Sequence, residues 1–117
     1  MSKAIKLDKP RKFKFGIKQM MKYEQETGTN FFDDFQESQV NGQIKFSMSQ
    51  TMVLVWSCMI HEDPDLSMDE AIDIIENNMD KFSEVANCMI SAINNFMKKF
   101  NPKEKTTEIE EEEAEKN

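Results

Sequence analysis

A mainly α fold, a small bundle of about four to five helices behind a short N-terminal β-hairpin, is predicted by three observations. Only three glycines and three prolines punctuate the 117 residues, too few for the many tight turns of an all-β chain. From residue 17 to residue 100, apolar side chains recur at spacings of three and four, the period of a helix that buries one face. Two of these stretches open on Ser47-x-x-Gln50 and Ser67-x-x-Glu70, the reciprocal capping pattern that begins a helix.

Residues 4–15 read AIKLDKPRKFKF. Ile5 and Leu7, then Phe13 and Phe15, alternate with lysine at period two, and Asp8-Lys9-Pro10 between them is turn material. A β-hairpin within residues 1–16 is expected, one face apolar and the other lysine-rich. Two strands alone are marginal in water, so this unit must pack on the helical part of the chain.

At Ile17 the period changes. Ile17, Met20, Met21 and Glu24 keep helical spacing, and Gly28 is a natural stop. Thr29 or Asn30 can cap a second helix whose first turn carries Asp33 and Asp34, favourable at the positive dipole end. Phe31, Phe32, Phe35 and Val40 give that helix its apolar surface, and Asn41-Gly42 ends it. Asn-Gly is also a strong hairpin turn, which would make Val40 to Phe46 a second hairpin. The polar Ser38-Gln39-Val40 before it is a poor strand, so the helix end is the preferred reading.

Ser47 then caps a helix in which Met48, Met52 and Val53 to Ile60 are apolar almost all round. A helix of that kind is the central, most buried one. Residues 67–79 and 81–100 supply two more. In the last, Phe82, Val85, Ala86, Met89, Ile93, Phe96, Met97 and Phe100 form a long amphipathic stripe, and Pro102 terminates it. The helical domain is thus expected over 17–100. Residues 101–117 hold seven Glu and three Lys with one Ile and one Ala; such a segment cannot bury enough to offset its ordering entropy and is expected to be a disordered acidic tail.

The decapeptide HEDPDLSMDE, residues 61–70, concentrates the only histidine and five acids. As a calcium loop starting at Asp63 it places Asp63, Asp65, Ser67 and Asp69 correctly, but Met68 stands where the loop needs glycine and Ile74 where it needs a bidentate glutamate. HExxH is absent, and one histidine with two distant cysteines is a poor zinc set. A nucleophile triad needs a base, for which His61 is the only histidine available, and no glycine-rich phosphate loop exists. A structural reading accounts for each position. His61 suits the negative end of the preceding helix, Pro64 forbids Asp63 from continuing it, Ser67 and Glu70 cap the next one, and Leu66 staples onto Ala71. The expectation is a helix-capping corner, with no catalytic, cofactor or metal residue in the chain.

Charge is unevenly spread. Residues 1–22 hold eight Lys and Arg against one Asp, a net +7, whereas residues 23–100 hold four basic and fourteen acidic residues, a net −10. An acidic chain makes nucleic-acid binding a weak expectation; the basic N-terminus more simply complements acidic surface of its own or a neighbouring chain. MSKAIKLDKPRK lacks the apolar core of a secretory leader, and no apolar run approaches the ~20 residues of a membrane helix. Cys58 and Cys88, both inside helical apolar patterns, are expected as buried thiols in a reducing compartment.

The order of these signals carries a resemblance. A lysine-rich hairpin leads into FKFGIKQMMKYEQETGTNFFDDF, and a later KFSMSQTMVLVWSCMIHEDPDLSMDEAIDIIE runs an apolar helix into an acidic one. Phe13, Phe15, Gly16, then Glu26, Thr27, Gly28, then His61 through Leu66 match the pattern of the tail assembly chaperones of long-tailed phages and prophages, which is similar to that of gene transfer agent tail-assembly proteins. The resemblance covers roughly residues 5–100. It departs at Trp56 and Cys58, where smaller residues are usual, and in the frequency of Met. What it implies is a non-catalytic protein of the host cytoplasm, not secreted and absent from the mature virion. Such a protein binds the tape measure protein, keeps its long helices soluble and recruits tail tube protein around it. Phe31, Phe32, Phe35, Met89, Phe96 and Met97 are the candidate partner-binding residues, since Met and Phe offer adaptable apolar surface. Self-association into a homo-oligomer is expected for the same reason. A head–tail connector or other virion component, or a small regulatory or nucleic-acid-binding helical protein, are the alternatives.

Overall fold

The structure, a computed structural model, describes residues 4–100, with the Phe100 side chain excluded; the acidic tail expected at 101–117 lies outside the described residues. The chain runs β1 (Ile5–Lys6), β2 (Pro10–Arg11), α1 (Ile17–Thr27), α2 (Phe31–Glu37), β3 (Gln39–Val40), β4 (Gln43–Ile44), α3 (Met48–Met59), α4 (Met68–Glu76), a single 3-10 turn (Met79–Lys81) and α5 (Phe82–Phe100). The mainly α expectation holds, with five α-helices among the described residues.

α3 is the axis. Met52, Val53, Leu54, Val55, Ser57, Cys58 and Met59 are all buried, because α1, α4 and α5 each pack against this one helix. A helix with partners on several sides needs apolar residues all round. Its start is fixed by the anticipated capping box: Ser47 Oγ accepts from the Gln50 N–H at 3.1 Å, and Gln50 Oε1 accepts from the Ser47 N–H at 2.9 Å. The same device, Ser67 with Glu70, opens α4 at 3.0 and 2.9 Å. Between the two helices, Leu66 and Ala71 are both buried, as the staple requires. The Trp56 indole N–H donates to the Leu66 carbonyl at 2.8 Å, so Trp56 also pins the corner.

The N-terminal hairpin is shorter than expected. Its ladder pairs only Ile5 with Arg11 and Lys6 with Pro10. Phe13 and Phe15 continue as extended chain, with the Lys14 N–H donating to the Cys58 carbonyl at 3.1 Å. The period-two burial nevertheless persists through Ile5, Leu7, Arg11, Phe13 and Phe15, and the four apolar members belong to the same core as the helices. Arg11, at 3% exposed, sits on the inward side and not on a lysine-rich outer face.

Three further expectations are corrected. Asn41-Gly42 does not end α2: the helix stops at Glu37, and β3 and β4 form a second antiparallel hairpin, Gln39 opposite Ile44 and Val40 opposite Gln43. Both turn residues have positive φ, Asn41 at 52° and Gly42 at 77°, the left-handed pair whose twist matches a two-residue hairpin loop. Turn chemistry outweighs the polarity of Ser38-Gln39. Second, α1 is rotated from the anticipated face. Gln19 and Tyr23 are buried, Met20 is only half-buried, and Ile17 and Met21 are 58% and 50% exposed. The reason is Tyr23, whose hydroxyl donates to Asp34 inside the fold. Third, Cys88 is half-buried, whereas Cys58 is fully enclosed.

Candidate functional site

Two assemblies of polar groups and one set of apolar surfaces could carry function. The first polar assembly joins the N-terminal hairpin to the corner after α3. Arg11 Nε and Nη2 donate to the two carboxylate oxygens of Asp8 at 2.9 and 2.7 Å, and Nη1 donates to Asp63 at 3.1 Å. Lys9 approaches Asp63 at 3.8 Å. The Lys12 N–H donates to Glu62 at 3.4 Å, and the Lys12 carbonyl lies 2.8 Å from His61 Nε2. The bidentate Arg11 contact holds the Asp8 carboxyl below its ordinary range, and Asp8 with Asp63 in turn raises the guanidinium. An open cleft of about 470 Å³ runs beside this cluster, lined by Asp8, Lys9, Arg11, Asp63, Asp65 and Glu70 among others.

This geometry revises the reading of residues 61–70. Ser67, Glu70 and Pro64 shape the corner as expected. His61, Glu62 and Asp63, by contrast, clasp the basic N-terminus. One cue lay in the sequence: Arg11 shares the parity of Ile5, Leu7, Phe13 and Phe15, so period two already assigned it inward. What parity cannot supply is the partner, which stands 52 residues away.

The second polar assembly ties α1 to α2. Tyr23 is fully buried, and its hydroxyl donates to Asp34 at 2.6 Å. The Thr29 hydroxyl donates to the same carboxylate oxygen at 2.5 Å. Burial, reinforced by the Asp34 charge, pushes the Tyr23 phenol well above its ordinary value. The Phe31 N–H donates to Glu24 at 2.8 Å, and Asn30 caps α2 by accepting from the Asp33 N–H at 3.0 Å. Gly28, in the left-handed conformation at φ 73°, turns the chain between the helices, and Thr27 bonds back to the Tyr23 carbonyl at 2.8 Å. These groups satisfy one another within the fold, and the phenol is held neutral. A tie of this kind fixes the geometry of the two helices.

The apolar surfaces divide the candidate partner-binding residues. Phe31 is 0% exposed and Met89 1%. Phe31 lies between Phe15 at 5.0 Å and Tyr23 at 5.5 Å, ring centroid to centroid, so these two residues are core and cannot meet a partner in this conformation. Phe32 and Phe35 flank Phe31 at 6.1 and 5.8 Å and stay half-buried. Phe96 packs edge-on against Phe15 at 5.5 Å and Met97 stands beside it on the helix; both are half-buried. Along α5 only Val85, Met89 and Ile93, one narrow line at spacing four, are fully covered. Ala86, Ile90 and Met97 on one flank of that line, with Cys88 and Ala92 on the other, remain half-exposed. Sequence reasoning missed five more large apolar side chains on the surface, Ile17, Met21, Val40, Met48 and Met79, each 43–61% exposed. They were hidden because periodicity marks a face as apolar without saying whether anything covers it.

Among the described residues, no helix is long and apolar enough to cross a membrane. No family model, no curated protein and no solved structure matches the chain.

Proposed function

We propose that this protein is a non-catalytic tail assembly chaperone of a long-tailed phage or prophage, which binds the tape measure protein and promotes assembly of the tail tube around it. The observation that carries the reading is α5. Its apolar arc is wider than the core can use, leaving Ile90, Phe96 and Met97 half-exposed along one long helix. A client rich in amphipathic helices binds such a strip by laying its own apolar face along it. Unbranched Met accommodates many client side chains at little packing cost, and three of the five strongly exposed apolar residues, Met21, Met48 and Met79, are of this type. Phe32 and Phe35 extend the apolar surface on α2. The order of hairpin, Gly16, Glu26-Thr27-Gly28 and His61–Leu66 supports the same family. Action in the host cytoplasm, self-association and absence from the finished particle belong to that assignment.

Co-expression with the large helix-rich tail protein of the same phage, then affinity capture, tests the proposal. The client is expected to stay soluble and to co-purify. An Ile90→Glu/Met97→Glu variant with unchanged thermal unfolding is expected to lose about tenfold or more of the captured client, the scale of two buried apolar anchors. A client equally soluble without this chain would sink the reading, and recovery of the chain in purified particles would favour a virion component.

A further inference from the structure

Two helices of this chain carry the same residue pattern with opposite charge. On α1 it reads Ile17-Lys18-x-x-Met21-Lys22, and on α4 Met68-Asp69-x-x-Ile72-Asp73. A spacing of four stacks like residues one turn apart on a helix face. Each helix therefore presents an apolar stripe with a charged stripe about 100° further round its axis. On α1 both stripes are exposed, because Gln19 and Tyr23 form the buried side. On α4 the buried side is Ala71 and Ile75, Met68 and Ile72 are half-buried, and Asp69 and Asp73 are exposed. Among the described residues, no ion pair uses Lys18, Lys22, Asp69 or Asp73.

Both helices pack on α3, so within one chain the two patterns do not meet. Between two chains they can, and the pattern sets the direction. The charged stripe lies on the same rotational side of the apolar stripe in both helices. Laid antiparallel, apolar stripe on apolar stripe, they bring their charged stripes to the same flank of the contact. Laid parallel, they send the charges to opposite flanks. The antiparallel arrangement sets Lys18 opposite Asp73 and Lys22 opposite Asp69, while Ile17 and Met21 cover Ile72 and Met68.

We propose that the outward face of α1 is a docking site for α4 of a second copy of this chain, in that antiparallel arrangement. The contact is heterologous, since the two copies present different surfaces. It gives the self-association proposed above a surface, and it stands whether or not a client occupies α5. Residues 23–100 carry a net −10, so two copies repel over most of their surface, and the lysines of α1 turn that repulsion into attraction at one place. Two short stripes make a small interface of the weak, reversible class, held in part by surface ion pairs that salt screens.

Sedimentation of the full chain over a concentration series reaching about 1 mM tests this. The wild type is expected to gain mass with concentration, and to gain less at about 0.5 M NaCl, where screening is strong. Lys18→Glu/Lys22→Glu and Asp69→Lys/Asp73→Lys are each expected to lower the association constant about tenfold, since attraction becomes repulsion at two pairs. The first variant moves the net charge from −7 to −11 and the second from −7 to −3, so general repulsion cannot account for a loss in both. An equal mixture of the two variants is expected to regain wild-type association, because each then offers the face the other needs. That recovery also shows that both variants are folded. Ile17→Ser/Met21→Ser is expected to lower association severalfold while capture of the client along α5 is unchanged, which separates this contact from the chaperone reading. A wild type that stays monomeric throughout the series would overturn the proposal, as would association that survives both charge reversals or fails to return on mixing.

Discussion

The two hairpins have the same size, two residues per strand, and opposite fates. β1–β2 is pulled into the core: Ile5, Leu7 and Arg11 are buried, and a guanidinium bridge binds the unit to the corner after α3. β3–β4 lies on the surface, with Gln39, Val40 and Gln43 exposed and Ile44 half-buried. Its closing bond, from the Lys45 N–H to the Ser38 carbonyl at 2.7 Å, stays within the same local loop. Local turn chemistry is stronger in the second hairpin, which has Asn-Gly at positive φ. Tertiary anchoring is stronger in the first. Hairpin formation and hairpin importance are therefore set by different terms, the turn and the partner.

The largest test of that contrast is Arg11→Met, which keeps the buried stem and removes the charge. Asp8 would then lose both guanidinium donors and Asp63 would keep only the more distant Lys9; because the two acids are 41% and 30% exposed, the expected loss is about 2 kcal/mol, the scale of hydrogen bonds to a charged group and below that of a fully buried pair. Urea unfolding monitored by helix circular dichroism is expected to show the loss. Acid gives the sign. Arg11 lowers the Asp8 pKa, so its contribution is present above the ordinary value of 3.8 and is lost as pH falls through the lower folded value. The gap between wild type and variant is expected to narrow below about pH 4. A constant gap across that range would mean that Arg11 acts by packing alone.

Tyr23→Phe comes next. Removing the hydroxyl takes one of two donors from Asp34 while leaving the ring in place, for an expected loss of about 1.5 kcal/mol. Tyr23 is the only tyrosine, so tyrosinate absorbance reports it alone. Its pKa is raised by burial and then by Asp34; the stabilisation is complete below the ordinary value of 10.0 and declines as pH rises beyond it, as the unfolded chain ionises first. A wild-type phenol that titrates at its ordinary value in the folded protein would refute the buried tie between α1 and α2.

How far these features were legible depends on their range in the chain. Ser47-x-x-Gln50, Ser67-x-x-Glu70 and the all-round apolar run 53–60 act within a few residues, and each was readable. The Tyr23–Asp34 bond spans eleven residues, and its effect was to rotate α1 against its own hydrophobic pattern, exposing Ile17 and Met21. A period-based reading puts the most apolar face inward; here one hydroxyl with a buried acceptor and an aromatic ring outweighs two apolar side chains. Arg11 was half legible, its side by parity but not its partner. Of the six residues named for partner binding, pattern could not separate Phe31 and Met89 from Phe96 and Met97, because all four lie on the same stripes and only the packing of Phe15 and α3 decides which are covered.

A smaller effect is expected at Ser67→Ala, which removes the hydroxyl that accepts the Glu70 N–H and costs about 1 kcal/mol. The clasped side of the molecule depends on this corner, since Asp63 and Leu66 hang from it. Thermal unfolding is therefore expected to shift as a single transition. A separate early transition would show α4 detaching from α3 and the corner failing to couple to the hairpin.

Gly42→Ala is the smallest and discriminates most sharply between the two hairpins. Nothing stands within 4 Å of a Cβ at this position, so the substitution meets no clash, only the penalty of φ +77°, about 1 kcal/mol for a residue other than glycine. In a clasped hairpin that strain would subtract fully from global stability. β3–β4 can relieve it by opening, because its strands are exposed and its closing bonds are local. The global loss is capped at the cost of that opening and is expected to stay below about 0.5 kcal/mol. The Lys45 amide is then expected to be only weakly protected from exchange in the wild type, and to accelerate by no more than about twofold in the variant, the factor that 0.5 kcal/mol gives. A loss near the full 1 kcal/mol, with Lys45 protected as strongly as the amides of α3, would mean that the second hairpin opens only with the whole domain, and that surface exposure here conceals an anchor.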